Sequence, residues 1–231
     1  MKKYIILIML ALNCSIVVEG KSLYFSVYSS KLVAVELKAK SGILPVEFNG
    51  EFAIQGNDTL YLYKDERVDL SWKIGLNRFS LILTNKTEES IKIDWNYVTF
   101  IDCFNQEERV LPTGTKYLSY DSQLPPAIIP RGAILNSDIL PACNVKMSKA
   151  GKWVEVPMIP LYYRSEEAMK EIAPSFIGKK MNIVMPLNIG QEVYEYTFTF
   201  IIDKIIVEGS KKVGNGEMKR IEQIMGEKIV K

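Results

Sequence analysis

From residue 22 to residue 207, apolar and polar side chains alternate in short runs with a period of two, the mark of half-buried β-strands. Val68, Leu70 and Trp72 alternate with Asp69, Ser71 and Lys73, and Phe79, Leu81 and Leu83 alternate with Ser80, Ile82 and Thr84. Ile91, Ile93 and Trp95 alternate with Lys92, Asp94 and Asn96, and Val98, Phe100 and Ile101 continue that strand or a bent extension of it. Residues 22–28, 31–38, 51–55 and 59–63 read as further short strands, punctuated by turns at Gly42, Asn49-Gly50 and Gly56-Asn57-Asp58. Two longer blocks, 181–187 and 193–207, follow near the other end, the second with Tyr194, Tyr196, Phe198, Phe200 and Ile202 on one face. Many short strands separated by Gly and Asn turns predict an all-β, antiparallel sandwich rather than parallel α/β units. Trp72 and Trp95 fall in register with the apolar faces of their strands, which assigns them to the core rather than to ligand stacking.

Three segments break the period. Residues 166–172, just ahead of Pro174, read as a short helix. Between 112 and 141 stand Pro112, Pro125, Pro126, Pro130 and Pro141, five of the chain's ten prolines. Such a stretch is expected to hold edge strands and ordered loop, a proline-rich crossover over one end of the sandwich. Because loops on a rigid scaffold are where binding concentrates, Tyr117, Tyr120, Pro125, Pro126 and Arg131 form the candidate binding surface. The plainer alternative is a crossover packed without any ligand. Finally, Met218, Ile221, Ile224 and Met225 recur at helical spacing with Ile229 near the same stripe, so 217–230 reads as an amphipathic helix within a basic tail, 209–231. It either docks on the flank of the domain or meets a partner or membrane surface.

The first twenty residues read as an address. Lys2 and Lys3 precede an unbroken apolar run from Tyr4 to Leu12, too short to span a bilayer and typical of a secretory signal. Leu10-Ala11-Leu12-Asn13-Cys14 resembles a bacterial lipobox, with Asn13 where Gly, Ala or Ser is usual, and this places lipidation at Cys14. Cleavage after Val18-Glu19-Gly20, giving a soluble secreted form, is the alternative; a retained anchor helix is disfavoured by Asn13 to Ser15 in its middle. The expected organisation is a signal over 1–20, a β-sandwich over 21–208 and the basic helix over 209–231. With Cys14 acylated or removed, Cys103 and Cys143 remain as an even pair, expected to form a disulfide in an oxidising compartment, with two buried thiols as the competing reading.

Composition narrows the chemistry. The 231 residues carry 29 basic and 27 acidic side chains and are 48% hydrophobic, so the chain can bury a core and is not disordered. Loss of Lys2 and Lys3 brings the net charge to about zero, which argues against nucleic acid as a partner. There is no histidine, which removes the usual general base, the Ser/His/Asp and Cys/His arrangements and every His-ligated metal site. No metal or cofactor is expected. The nucleophile elbow and phosphate loop are missing, and for a carboxylate pair running glycoside hydrolysis Asp94, Asp102, Glu107, Glu108 and Asp121 are the nearest candidates to the irregular region. Asn57-Asp58-Thr59 and Asn85-Lys86-Thr87 fit the N-glycosylation pattern by accident, and Lys86 reads as a solvated turn residue.

A longer pattern carries a resemblance. Val68-Asp69-Leu70-Ser71-Trp72, Phe79-Ser80-Leu81, Leu83-Thr84-Asn85-Lys86-Thr87 and Ile91-Lys92-Ile93-Asp94-Trp95 are followed by Gly114-Thr115-Lys116-Tyr117, Pro125-Pro126, Ile129-Pro130-Arg131-Gly132 and Pro141-Ala142-Cys143-Asn144. In this order the segments resemble a group of uncharacterised bacterial cell-envelope proteins, many of them lipoproteins, over about residues 65 to 205. Cys103 and Cys143 depart from the usual residues of that pattern. The resemblance implies an immunoglobulin-like β-sandwich and no established activity. The expectation is therefore a non-catalytic, exported envelope lipoprotein, held at the membrane by its lipid anchor and binding an envelope protein or other envelope component. A secreted carboxylate-dependent hydrolase is the alternative.

Overall fold

The computed structural model describes residues 21–56, 58–117, 122–148, 150–225 and 229–230; Cys14, Asn57, Tyr120 and Asp121 lie outside them. The frame is a pair of long antiparallel strands, β1 (Lys21–Ala39) and β16 (Glu192–Val213), running from Lys21 opposite Val213 to Lys38 opposite Glu195. The pattern had suggested two strands where β1 is one. The register shifts between Val27 and Tyr28, Ser29 and Ser30, and Leu32 and Ala34, so the interrupted alternation marks bulges inside a continuous strand and no turn.

From β1 and β16 the sheet extends in both directions. On one side lie β14 (Tyr162–Tyr163) and β17 (Ile229–Val230), the second of which pairs parallel. On the other, β15 (Lys180–Ile189) is followed by β8 (Thr99–Ile101), β9 (Glu107–Pro112), β11 (Ile134–Pro141), β6 (Phe79–Asn85), β5 (Val68–Ile74), β4 (Asp58–Lys64) and finally β3 (Phe52–Gln55). Short strands β2 (Gly42–Leu44), β7 (Ile91–Ile93) and β10 (Ala127–Ile129) add to β1, β15 and β7 respectively, and β12 (Val145–Met147) with β13 (Trp153–Glu155) forms a separate hairpin. The protein is thus all-β and predominantly antiparallel, as the alternation required.

The sheet curls over on itself. Strand β9 is its corner, pairing β8 through residues 107–109 and β11 through residues 110–112. Beyond the corner, β4–β6 lie over β15 and β16 and bury the alternating aromatic residues between the two halves. Trp72 packs 5.0 Å from Phe198 and 5.7 Å from Phe200, Phe79 lies 4.7 Å from Phe200, and Tyr63 meets Tyr196 and Phe198. Both Trp72 and Trp95 are buried, in the core role their register assigned. A polar lock also crosses the halves: Asp65, in the turn after β4, accepts from Arg67 N and Val68 N through one carboxyl oxygen and from Tyr63 and Tyr196 hydroxyls through the other.

The proline-rich stretch is more ordered than expected. It contains β10 and β11, and Ile139 of β11 stands opposite both Phe79 and Pro112, so β11 is an interior strand at that point. Its prolines sit where a missing N–H matters least: Pro112 and Pro141 end β9 and β11, and Pro125, Pro126 and Pro130 flank β10. Helix α1 (Glu166–Ile172) begins where expected, with Ser165 Oγ accepting from Ala168 N at 3.1 Å. The C-terminal helix α2 (Asn215–Met225) starts and ends earlier than the apolar stripe implied, and Ile229–Val230 instead extends the sheet. Met218 packs with Leu23 and Val213 against Tyr162 and Ile221, and Arg164–Glu222 and Lys211–Glu217 ion pairs flank the contact, so α2 docks on the end of the β1–β16 ribbon. The side chains of Ile224, Met225 and Ile229 lie outside the described residues. No helix among the described residues is long and apolar enough to cross a membrane.

Cys103 and Cys143 form no disulfide. Cys103 lies in the turn joining β8 to β9, and Cys143 in the 3-10 turn Ala142–Asn144 after β11, so β9 stands between them. The two residues thus sit in different connections, one beside each of the two ladders that β9 joins.

Candidate functional site

The curled sheet has a closed flank at β9 and an open one, where β1 faces β4 and β5 with no strand pairing between them among the described residues. Across the open flank runs a strap, residues 156–161 with the sequence Val-Pro-Met-Ile-Pro-Leu, buried throughout although it belongs to no strand or helix. Buried irregular backbone needs its polar groups satisfied. Val156 N donates to Asn144 O, Met158 N to Leu76 O, and Ser26 N to Leu161 O, at 2.8–2.9 Å. Pro157 and Pro160 present no N–H to satisfy, which makes this composition suited to burial.

Beside the strap lies a cleft of about 400 Å³, lined chiefly by Tyr28, Ile74, Leu76, Met158, Ile159 and Met181. The bulged segment of β1 forms one wall. Tyr61 hydroxyl donates to Ser30 O at 3.0 Å across the opening, and Ser29 Oγ is buried without a hydrogen-bond partner. Asp58 and Lys73 close the rim with an ion pair of 2.6 Å, both about half exposed. A second, wider groove of about 650 Å³ adjoins the cleft through Ser29, Thr59 and Tyr61 and is lined by Val33, Phe48 and Phe52. Several exposed large apolar residues, Val33, Phe52, Leu76 and Ile206, thus line two connected depressions on one flank.

Glu155, on the hairpin that precedes the strap, belongs to a cluster of ionisable groups. Arg78, at the turn between β5 and β6, is held between Asp138 of β11, at 2.7 Å, and Glu155 of β13. Ser80 Oγ donates to Asp138 at 2.7 Å and Tyr117 hydroxyl to Glu155 at 2.6 Å, while the Tyr117 ring stands edge-on to Trp153. Burial pushes both carboxyls up, but the hydrogen bonds outweigh it and hold Asp138 and Glu155 below the ordinary carboxylate range. The bonds to Glu155 and Asp138 raise Arg78 further, and burial followed by the bond to Glu155 raises Tyr117. The arrangement is a clamp: three charges hold the β5–β6 turn, β11 and β13 together, and Gly75 N to Arg78 O closes the same turn whose Leu76 carries the strap.

The expected binding surface is divided. Tyr117 belongs to the clamp, at the Phe79 end of β6. Arg131 lies beyond Ile134, which pairs with Thr84 near the other end of β6, about 20 Å away by strand rise. There it pairs with Glu88, both largely exposed. Pro125 and Pro126 are exposed ahead of β10, and Tyr120 is outside the described residues. The candidate hydrolytic carboxylates shape turns instead: Asp94 accepts from Asn96 N, and Asp102 from Phe104 N and Gln106 N. Glu107 and Glu108 begin β9. Asn85 is buried, with Nδ2 donating to Glu89 O and Ile129 O, so it is not open to glycosylation, and Lys86 binds Asp65 O and pairs with Asp69 rather than being merely solvated. Among the described residues no group of Cys, Asp and Glu gathers to hold a metal. The strap and the Arg78 clamp escaped the sequence reading; the one signal was the unbroken apolar run between Glu155 and Tyr162 with its two prolines. No protein-family model, curated protein or solved structure matches this chain, so its functional reading rests on the open flank, the strap and the clamp themselves.

Proposed function

We propose that this chain is a non-catalytic lipoprotein of a bacterial cell envelope, exported by residues 1–20, anchored through acylated Cys14, and serving as a binding or structural module for an envelope protein or other envelope component. Its curled sheet is read as an immunoglobulin-like sandwich, in line with the resemblance of residues 65–205 to uncharacterised envelope proteins. The observation that carries the binding role is the concentration of exposed Val33, Phe52, Leu76 and Ile206 along the connected depressions of the open flank. Apolar surface gathered beside a polar rim marks contact sites rather than inert surface.

The clamp supports the non-catalytic part. A carboxylate-dependent hydrolase needs one carboxyl kept protonated as general acid, with its pKa raised. Against the upward push of burial, Asp138 and Glu155 are pulled the opposite way, by hydrogen bonds from Ser80 and Tyr117 respectively and then by Arg78. Two measurements test the reading. Palmitate labelling and detergent partitioning should be strong for the wild type and abolished by Cys14→Ala; equal labelling would overturn the anchor. In native membranes, a photo-crosslinking residue at Leu76 should give a discrete adduct that the same residue at Arg131 does not. Identical adducts from both positions, or a glycan-cleaving activity lost in Glu155→Gln, would overturn the binding role.

A further inference from the structure

Strand β3 ends the path of the sheet, and among the described residues it is paired on one side only, to β4. Its pairing reveals which groups face outward. Leu62 N donates to Glu51 O at 2.9 Å, so the backbone of Glu51 points toward β4, and by the two-residue alternation so do those of Ala53 and Gln55. The N–H and C=O groups of Phe52 and Ile54 therefore point away from the sheet. Edge strands are normally blunted by Lys, Pro or a bulge. Phe-Ala-Ile-Gln has none of these, and Phe52 and Ile54 are 60% and 72% exposed.

This edge is complementary to itself. Turned about a twofold axis at Ala53 and laid antiparallel on a second copy, Phe52 comes opposite Ile54 of the second copy, and Ile54 opposite Phe52. Both are outward-facing positions, so the two pairs exchange four backbone hydrogen bonds. Residues directly opposite share a face, which gathers two Phe and two Ile side chains on one side. On the other side the two Ala53 residues meet, and Gln55 comes opposite Glu51 of the second copy, where its amide can donate to the carboxylate. A slip of one residue sets outward groups against inward ones and forms no ladder. Moving the axis to Phe52 or Ile54 leaves a single mutual pair within the strand.

We infer that β3 is a homotypic docking edge, pairing antiparallel with β3 of a second copy of this chain about a twofold axis at Ala53. The inference stands on strand geometry and does not depend on the lipid anchor or on what the clefts bind. Two four-residue strands bury less than the roughly 1,200 Å² of stable complexes, so the pairing is weak and concentration-dependent.

A covalent trap reads such a pairing. In this register Ala53 faces itself as a non-hydrogen-bonded pair with Cα atoms about 4.5 Å apart, within disulfide reach. Purified full-length Ala53→Cys, oxidised by air with a copper catalyst, should give a reducible dimer at least tenfold above the wild type, whose own cysteines set the baseline. A chain carrying Glu51→Cys mixed with one carrying Gln55→Cys should cross-link, while each alone does so at least tenfold less. Adding Ile54→Lys, or Ile54→Pro, which removes an outward N–H and leaves the ladder to β4 intact, should return the Ala53→Cys dimer to baseline without changing the melting temperature. Dimer yield at the wild-type level would overturn the inference. So would equal self-linking of Gln55→Cys and Ala53→Cys, which means random collision, or capture of a foreign protein by Ala53→Cys in place of a homodimer.

Discussion

The two flanks of the curled sheet are closed by different means. At β9 residues 107–109 pair with β8 and residues 110–112 with β11, so one strand shared between two ladders carries the chain around the corner. On the open flank β1 and the β4–β5 hairpin are bridged by one hydroxyl, Tyr61 to Ser30 O, and by the buried strap. A strap with two prolines makes three backbone bonds and leaves a cleft beside them, so this side is expected to open first.

The largest test of this contrast lies between the flanks. Trp72→Ala removes the ring wedged against Phe198 and Phe200 and should destabilise the whole protein by about 3–5 kcal/mol in chemical denaturation. Trp72→Phe should cost clearly less, because the buried Nε1 has no hydrogen-bond partner to lose. A smaller and more local effect is expected from Met158→Ala. It should cost about 2–3 kcal/mol and bring protease cleavage in 156–161 ahead of global unfolding, while β9 stays protected from hydrogen exchange. Simultaneous loss of protection at β9 would show that the flanks do not open separately.

The smallest effect concerns the clamp and pH. Asp138 and Glu155 have folded pKa values below their unfolded ones, about 3.9 and 4.3. Their contribution is therefore fully present above about pH 5 and is lost as pH falls through the depressed folded values. Since Arg78 is about one-third exposed, the contribution is on the order of 1 kcal/mol. Urea titrations from pH 6 to pH 3 should show the wild type losing more stability than Asp138→Asn/Glu155→Gln; parallel curves would mean the clamp does not stabilise the turn that carries the strap.

What was legible before the structure follows from where burial tracks local pattern. In β5, β6, β7 and β15 each inward residue except Asn85 at the end of β6 is apolar and each outward one largely polar, and α1 has a Ser165 cap, so type and position could both be read. Leu23 is buried against α2 while Ser26 and Tyr28 are buried out of phase with it, and the register then shifts after Val27 and Ser29, which masks one strand as two. β11 was obscured by prolines that occupy strand ends. The strap has no period at all, because its partners, Asn144, Leu76 and Ser26, are distant in sequence. Tyr117 and Arg131 were grouped by a shared loop-like composition, and only the register of β11 on β6 separates them.

The length of the β1–β16 ribbon sets a height. With Cys14 acylated, seven residues lead to Lys21, a tether of at most about 24 Å. Ser29 lies eight residues further along β1, about 26 Å at strand rise, and Leu32, beside the wider groove, about 36 Å. The ribbon is then a rigid mast with α2 braced at its foot, holding the open flank clear of the headgroups. Under the proposed anchor, whatever meets that flank would do so at a limited height above the bilayer, and the short tether would confine neighbouring copies to a layer in which a weak β3 edge is concentrated toward its own kind.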